Sequence, residues 1–177
     1  MPDRDQAKRL ILQIVAIAGG RLEAMSRLNK AFYAAHIIYW RERQGILSDY
    51  PIVKLPYGPV IDDFEGLVDE LVAEDALDAI EEVKGPFPQT TLVLKASVEI
   101  DPSAPEYEPI SKAVHWVKAH TVAELERLTH DRPSYLSQPR IGYEQPIYLD
   151  ALKEEEYARI RTACYDVDEA FRAALGA

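Results

Sequence analysis

Residues 26–43 read Ser-Arg-Leu-Asn-Lys-Ala-Phe-Tyr-Ala-Ala-His-Ile-Ile-Tyr-Trp-Arg-Glu-Arg. The apolar residues of this stretch cover two sides of a helix, with Leu28, Phe32, Ala35 and Tyr39 on one stripe and Ile37, Ile38 and Trp40 on the far side. A helix that is apolar on more than one side is buried within its domain. The stretch therefore predicts a central helix, which Gln44-Gly45 closes.

Helical spacing of apolar residues predicts further helices before and after the central one. They are expected from Arg4 to Ala18, from Pro59 to Leu71, through Ile110 to Val117, from Thr121 to Leu128 and over residues 150–175. Pro59 suits the first position of a helix, since its missing N–H is not needed there. Thr121 and Glu124 have the spacing of a capping box, and Asp150 is expected to cap the last helix, whose apolar stripe includes Cys164.

Strand patterns are confined to one region of the chain. Residues 90–94 and 97–100 are rich in β-branched side chains and partly alternate, which predicts a small hairpin. Residues 46–59 carry three prolines and a glycine and are expected to form an irregular connection. The fold expected over residues 1–177 is a mainly α single domain of about six helices with a small β-hairpin, for which a winged-helix arrangement is one form.

Composition limits the classes of function. The chain has 177 residues, 47% of them hydrophobic, and a net charge of −10, which opposes binding to nucleic acid or to an anionic membrane. Its one cysteine allows no intramolecular disulfide, and no apolar run reaches the roughly 18 residues of a membrane-spanning helix. We expect a cytoplasmic protein that contacts neither membrane nor, as a rule, nucleic acid.

The charge is strongly segregated along the sequence. Residues 1–45 carry a net charge of +4, which leaves −14 for residues 46–177. Residues 62–82 contain ten acidic side chains and no basic one. Such a run is a hydrated, solubilising face or a docking surface that attracts a basic protein partner.

The sequence offers little support for catalysis. It lacks the common nucleotide-binding, nucleophile and zinc-protease motifs, and its four histidines are too far apart to suggest a shared metal. The one arrangement with catalytic potential is Asp62-Asp63 with Glu82-Val83-Lys84, which could hold Mg²⁺ in a hydrolase, although the segment has a helical pattern. We expect no enzymatic activity, no cofactor and no metal.

Three segments together resemble the SocA-like antitoxin domain family, also called Panacea. They are Leu28 to Ala35, the Tyr57-Gly58-Pro59-Val60-Ile61 element, and the stretch from Ala123 to Leu128-Thr129-His130. The resemblance covers about residues 6–148. It implies a cytoplasmic bacterial or phage antitoxin of a type II toxin-antitoxin system, which neutralises a toxin encoded beside it by direct protein–protein contact.

Most of the matched residues have an expected structural role. These are Leu28, Asn29, Lys30, Tyr33, Gly58, Pro59, Val60, Thr129 and His130. We expect Lys30 to point outward or toward a carboxylate, and Thr129-His130 to cap a helix end. Where family members often have a tryptophan after the Thr-His pair, Tyr135 stands in the corresponding loop.

Candidate partner-binding residues are Tyr57 at the turn and the acids Asp62, Asp63, Glu65 and Asp69, which would face a basic toxin. An alternative function is a DNA-binding autoregulator that uses the basic N-terminal helices, with Arg21, Arg27, Lys30, Arg41 and Arg43 on phosphates. Self-association of the chain is left open.

Overall fold

The computed structural model describes residues 2–83, 88–153, 155–156 and 158–159. Its helices are α1 Arg4–Ile17, α2 Met25–Arg43, α3 Phe64–Ala73, α4 Tyr107–Ala119, α5 Val122–His130 and α6 Pro133–Ser137. Its strands are β1 Arg21–Glu23, β2 Ile52–Leu55, β3 Gly58–Ile61, β4 Leu77–Val83 and β5 Pro88–Leu94. A 3-10 turn follows at Ile147–Ala151.

Helix α2 is the centre of the fold, as its sequence predicts. All side chains from Leu28 to Ile37 are buried. Its neighbours are α1, α4, α5, β1, β3, β5 and the 3-10 turn. Three alanines within this segment, Ala31, Ala34 and Ala35, let those neighbours approach closely, and Phe32 is completely enclosed.

The remaining predicted helices are placed close to their expected positions. Helices α1 and α4 bury the apolar stripes that predict them, through Ile14 and Val117 for example. Helix α5 begins with the expected capping box of Thr121 and Glu124. Helix α3 begins at Phe64 rather than at Pro59 and buries Leu67, Val68 and Leu71. The stripe of the predicted helix over 150–175, including Cys164, lies outside the described residues.

The expectation of a mainly α domain with one hairpin is wrong, because the fold is mixed, with two antiparallel sheets. Strands β2 and β3 form a two-stranded sheet in the region expected to be irregular, with Ile52 opposite Ile61. The second sheet has the order β1-β5-β4. Pro59 therefore lies in a strand instead of starting a helix.

The predicted hairpin over 90–94 and 97–100 is half correct. Residues 88–94 form β5, but residues 97–100 form no strand, and β5 pairs with β4 and β1 instead. Strand β4 lies in the acid-rich run that has a helical pattern, and only Leu77 of its residues is buried. An exposed edge strand lacks the apolar alternation by which strands are recognised.

None of the helices described has the length and apolarity that crossing a membrane requires.

Candidate functional site

The β2-β3 hairpin is closed on both outer edges, and this closure brings most of the motif residues together. On the β2 side, Lys54 and Ile52 exchange backbone hydrogen bonds with the segment 142–145. On the β3 side no third strand is present among the described residues. Side chains of α2 take its place.

Asn29 and Lys30 occupy the outer edge of β3. The Asn29 side chain accepts a hydrogen bond from the Ile61 N–H at 2.9 Å and donates to the Met25 carbonyl. The Lys30 ammonium donates to the carbonyls of Tyr57, at 2.8 Å, and Pro59, at 3.0 Å. Because Pro59 has no N–H, this edge is left with no further donor at that residue. Two adjacent helix residues thus do the work of a neighbouring strand.

Lys30 is buried, which corrects the expectation that it points outward. Its exposed fraction is 2%, and no described carboxylate forms an ion pair with it. Burial lowers the pKa of its ammonium to about 8, an effect that the negative charge of Glu126 partly opposes. A lysine in this position cannot face a DNA phosphate.

The titration of Lys30 gives a testable pH dependence. Its folded-state pKa of about 8 lies below the ordinary 10.5, so the unfolded chain holds more protons between these values. The free energy of unfolding should therefore rise with pH over this window, with a slope of at most about 1.4 kcal/mol per pH unit. Urea unfolding of the wild type and of Lys30→Met at pH 7.5 to 9.5 measures this slope in each protein. The part of the rise that Lys30 contributes should be absent in the variant.

A second measurement does not depend on the folding of the variant. The Cε resonance of Lys30 in ¹³C-lysine-labelled protein reports the protonation of its ammonium directly. A midpoint above pH 10 would contradict the assignment.

Gly58 packs tightly against both Lys30 and Thr129. It adopts a φ of +101°, and a Cβ at this position would lie 2.7 Å from the Thr129 Oγ1 and 2.9 Å from the Lys30 Nζ. The Thr129 hydroxyl donates to the carbonyls of Leu125 and Glu126. The Tyr57-Gly58-Pro59 turn is therefore fitted against α2 and α5.

His130 does not act as the predicted helix cap. Its ring stacks on Tyr135 at a centroid distance of 4.4 Å, and its buried Nε2 has no hydrogen-bond partner in the described part of the chain. Tyr135 in turn donates to the Leu55 carbonyl and lies under the Lys54 ammonium, 4.2 Å from the ring centroid. Lys54 also donates to the carbonyls of Tyr135 and Gln138. This aromatic pair anchors the loop after α5 to the hairpin.

Asp150 forms a buried node that the sequence did not reveal. Instead of capping a helix that follows it in sequence, it lies in the 3-10 turn with an exposed fraction of 3%. Its carboxylate accepts from the Tyr33 hydroxyl, the Ser134 hydroxyl and, at 2.8 Å, the Ser134 N–H. Burial and the adjacent Asp150 charge raise the pKa of Tyr33, which stays protonated as a donor. Arg41 donates to the Asp150 carbonyl at 2.6 Å.

The predicted partner-binding residues are exposed but form two groups. Tyr57, 72% exposed, lies at the turn of the hairpin, whereas Asp62 follows the other end of β3, about 16 Å further along the extended chain. Asp62, Asp63, Glu65 and Asp69 are all exposed, at the start and along the outer side of α3. The structure does not bring Tyr57 into one patch with the acids.

Helix α1 neutralises one side of α3. Arg4 pairs with Asp63 at 2.9 Å and Glu70 at 2.6 Å, and Lys8 pairs with Glu74 at 2.7 Å. Further along the run, Asp75, Asp78 and Glu82 pair with Lys95 or Arg21. No described cation pairs with Asp62, Glu65 or Asp69. The segregated charges of the sequence thus cancel in part, and these three acids stay open.

Several cations considered for DNA binding are already engaged within the chain. Arg21 pairs with Glu82, Arg27 donates to the Val117 carbonyl at 2.5 Å, and Arg41 contacts the 3-10 turn. Two of the carboxylates considered for Mg²⁺ have other partners within the chain. Asp63 pairs with Arg4, and Glu82 on β4 accepts a hydrogen bond from the Thr91 hydroxyl on β5. Within the described ranges, no group of three metal-ligating side chains could hold an ion.

Comparison of the chain with protein-family models, with curated proteins and with solved structures finds no match. The resemblance of its three motifs to the SocA-like antitoxins is therefore carried by those residues alone.

Proposed function

We propose that this chain is an antitoxin of a type II toxin-antitoxin system, which neutralises a cognate protein toxin by direct contact. The observation that supports the proposal best is the open acidic surface, which we define as Asp62, Glu65 and Asp69. These carboxylates are exposed and unpaired among the described residues, while their neighbours on α3 are paired with α1.

The geometry of this surface favours a basic partner. Glu65 and Asp69 stand four residues apart on α3, so they lie on one face, and like charges at this spacing destabilise a helix by about 0.2–0.5 kcal/mol. A lysine or arginine of a partner placed between them would relieve that repulsion. Concentrated negative charge also accelerates encounter with a positively charged protein.

The motif residues support the proposal in a different way. Asn29, Lys30, Gly58 and Thr129 all bond or pack within the fold, and all four residues are buried. They build the scaffold and leave recognition to exposed residues. This division suits a binding protein that keeps one fold while its surface is adapted to a particular toxin.

Co-expression with the neighbouring reading frame tests the proposal. The frame alone should arrest growth, and co-expression with this chain should restore it and give a complex that co-purifies. In the variant Asp62→Asn/Glu65→Gln/Asp69→Asn the association rate should fall about tenfold or more at low salt, with a smaller effect at high salt.

A matched control loses the same charge elsewhere on the exposed surface. The variant Glu99→Gln/Asp131→Asn/Glu155→Gln should associate at nearly the wild-type rate, since its charges lie outside α3. Equal slowing in both triple variants would assign the effect to net charge and remove the open acidic surface from the proposal. A toxic neighbour that neither binds this chain nor is neutralised by it would overturn the antitoxin function itself.

A further inference from the structure

A cavity of about 340 Å³ lies beside the C-terminal end of α2. Three parts of the chain surround it, namely residues 36–40 of α2, residues 46–52 before and within β2, and residues 144–148. Volumes of roughly 300–1,000 Å³ are typical of sites that hold small molecules.

The walls of the cavity are aromatic and aliphatic. Tyr50 and Ile52 are buried in it, while Trp40, Ile46 and Tyr148 are 37%, 53% and 53% exposed. Covering large apolar side chains lowers the free energy, and aromatic faces attract cations through their quadrupole. The partly exposed ones are thus available to an apolar molecule that enters.

The charges that line the cavity have one sign. Asp49 and Glu144 contribute carboxylates, and no lysine or arginine is among the described lining residues. Burial lowers the pKa of His36, whose Nδ1 donates to the Phe32 carbonyl and whose Nε2 accepts from the Ser48 N–H, so this imidazole is neutral. Arg4 reaches the Tyr50 hydroxyl at 2.8 Å from outside but is paired with Asp63 and Glu70.

A buried acceptor in the lining lacks a donor. Gln145 is 2% exposed, and its Nε2 donates to the Ser134 hydroxyl at 3.1 Å. Its Oε1 has no hydrogen-bond partner in the described part of the chain. This oxygen has almost no accessible surface, so it adds partial negative charge behind the cavity wall and does not contact a ligand directly.

We propose that this cavity binds a small organic cation, a primary ammonium on an aromatic or aliphatic body. The body packs against Trp40, Ile46 and Tyr148, and the ammonium is held by the negative field of Asp49 and Glu144. The proposal is independent of the antitoxin function, since it uses none of the residues of the open acidic surface.

Three compounds of nearly equal size test which ligand charge the cavity prefers: the cation 2-phenylethylammonium, the neutral 2-phenylethanol and the anion 3-phenylpropionate. Each is titrated into ¹⁵N-labelled full-length protein. The chain has two tryptophans, Trp40 and Trp116, so the indole N–H of Trp116 is an internal control. The ammonium should shift the Trp40 signal saturably with a dissociation constant of about 1 mM or lower, and bind at least about fivefold more tightly than the alcohol.

Variants separate the charge from the apolar contact. Asp49→Asn/Glu144→Gln should weaken binding of the ammonium compound about five- to tenfold and leave the affinity for the alcohol unchanged. Glu99→Gln/Asp131→Asn removes two exposed charges elsewhere and should change neither of these two affinities. The proposal is overturned if the three compounds bind equally, if the anion binds best, or if no saturable shift of Trp40 occurs up to about 10 mM ammonium.

Discussion

Replacing Asp150 with alanine is expected to lower the free energy of unfolding by about 3 kcal/mol or more. The change removes the acceptor shared by the Tyr33 hydroxyl and by the N–H and hydroxyl of Ser134, all within a buried node. Each buried donor left without an acceptor costs about 1–3 kcal/mol. Urea unfolding followed by far-UV circular dichroism measures the loss.

Two milder variants distinguish lost hydrogen bonds from a general disturbance of the fold. Asp150→Asn keeps the shape and one acceptor oxygen and should cost less than the alanine. Tyr33→Phe removes one donor and leaves the carboxylate bound to Ser134, so it should cost about 1 kcal/mol. If Asp150→Ala costs under about 1 kcal/mol, the node does not stabilise the fold as described.

Replacing Gly58 with alanine should cost about 3 kcal/mol, for two separable reasons. A residue with a Cβ at a φ of +101° is strained by about 1–2 kcal/mol. The new methyl group would also overlap Thr129 and Lys30, and neither can move freely, because the Thr129 hydroxyl and the Lys30 ammonium are both hydrogen-bonded to carbonyls.

Gly142 provides the matched control for this substitution. It has a φ of +80°, and no atom lies within 4 Å of the position that a Cβ would take. Gly142→Ala should therefore show the backbone strain alone. In a double-mutant cycle, Thr129→Ala should recover part of the loss in Gly58→Ala. Equal costs for Gly58→Ala and Gly142→Ala would show that the close packing at Gly58 carries no penalty.

The helices could be predicted because their signals are local. The stripes of α1 and α4 and the capping box of Thr121 and Glu124 involve residues only three or four positions apart, and the structure contains them. The central position of α2 follows from the same periodicity, since its apolar residues cover more than one side.

The β2-β3 hairpin was missed because its support comes from distant residues. Its prolines indicate irregular structure, and only the side chains of Asn29 and Lys30 show how an edge with Pro59 can be satisfied. A lysine is usually exposed, so its burial against two carbonyls cannot be read from its neighbours in sequence. The acid-rich strand β4 was missed for a different reason, as its exposed residues show no alternation.

The candidate sites show the same limit. That the acids of α3 are exposed could be anticipated from their run, but which of them Arg4 and Lys8 neutralise depends on the packing of α1 on α3. Asp150 has the local signature of a helix cap, and its actual partner Tyr33 lies 117 positions away. The cavity at Trp40 joins three segments that no spacing rule connects.

The occupied outer edges of the β2-β3 hairpin bear on how copies of this chain avoid aggregation. A strand from another molecule cannot extend this sheet, because Asn29 and Lys30 occupy the edge of β3 and residues 142–145 that of β2. The longest open edge in the described part of the chain is β4, which carries Asp78, Glu81 and Glu82. Carboxylates on an open edge repel a second copy, so acidification is the condition under which edge-to-edge association should first appear.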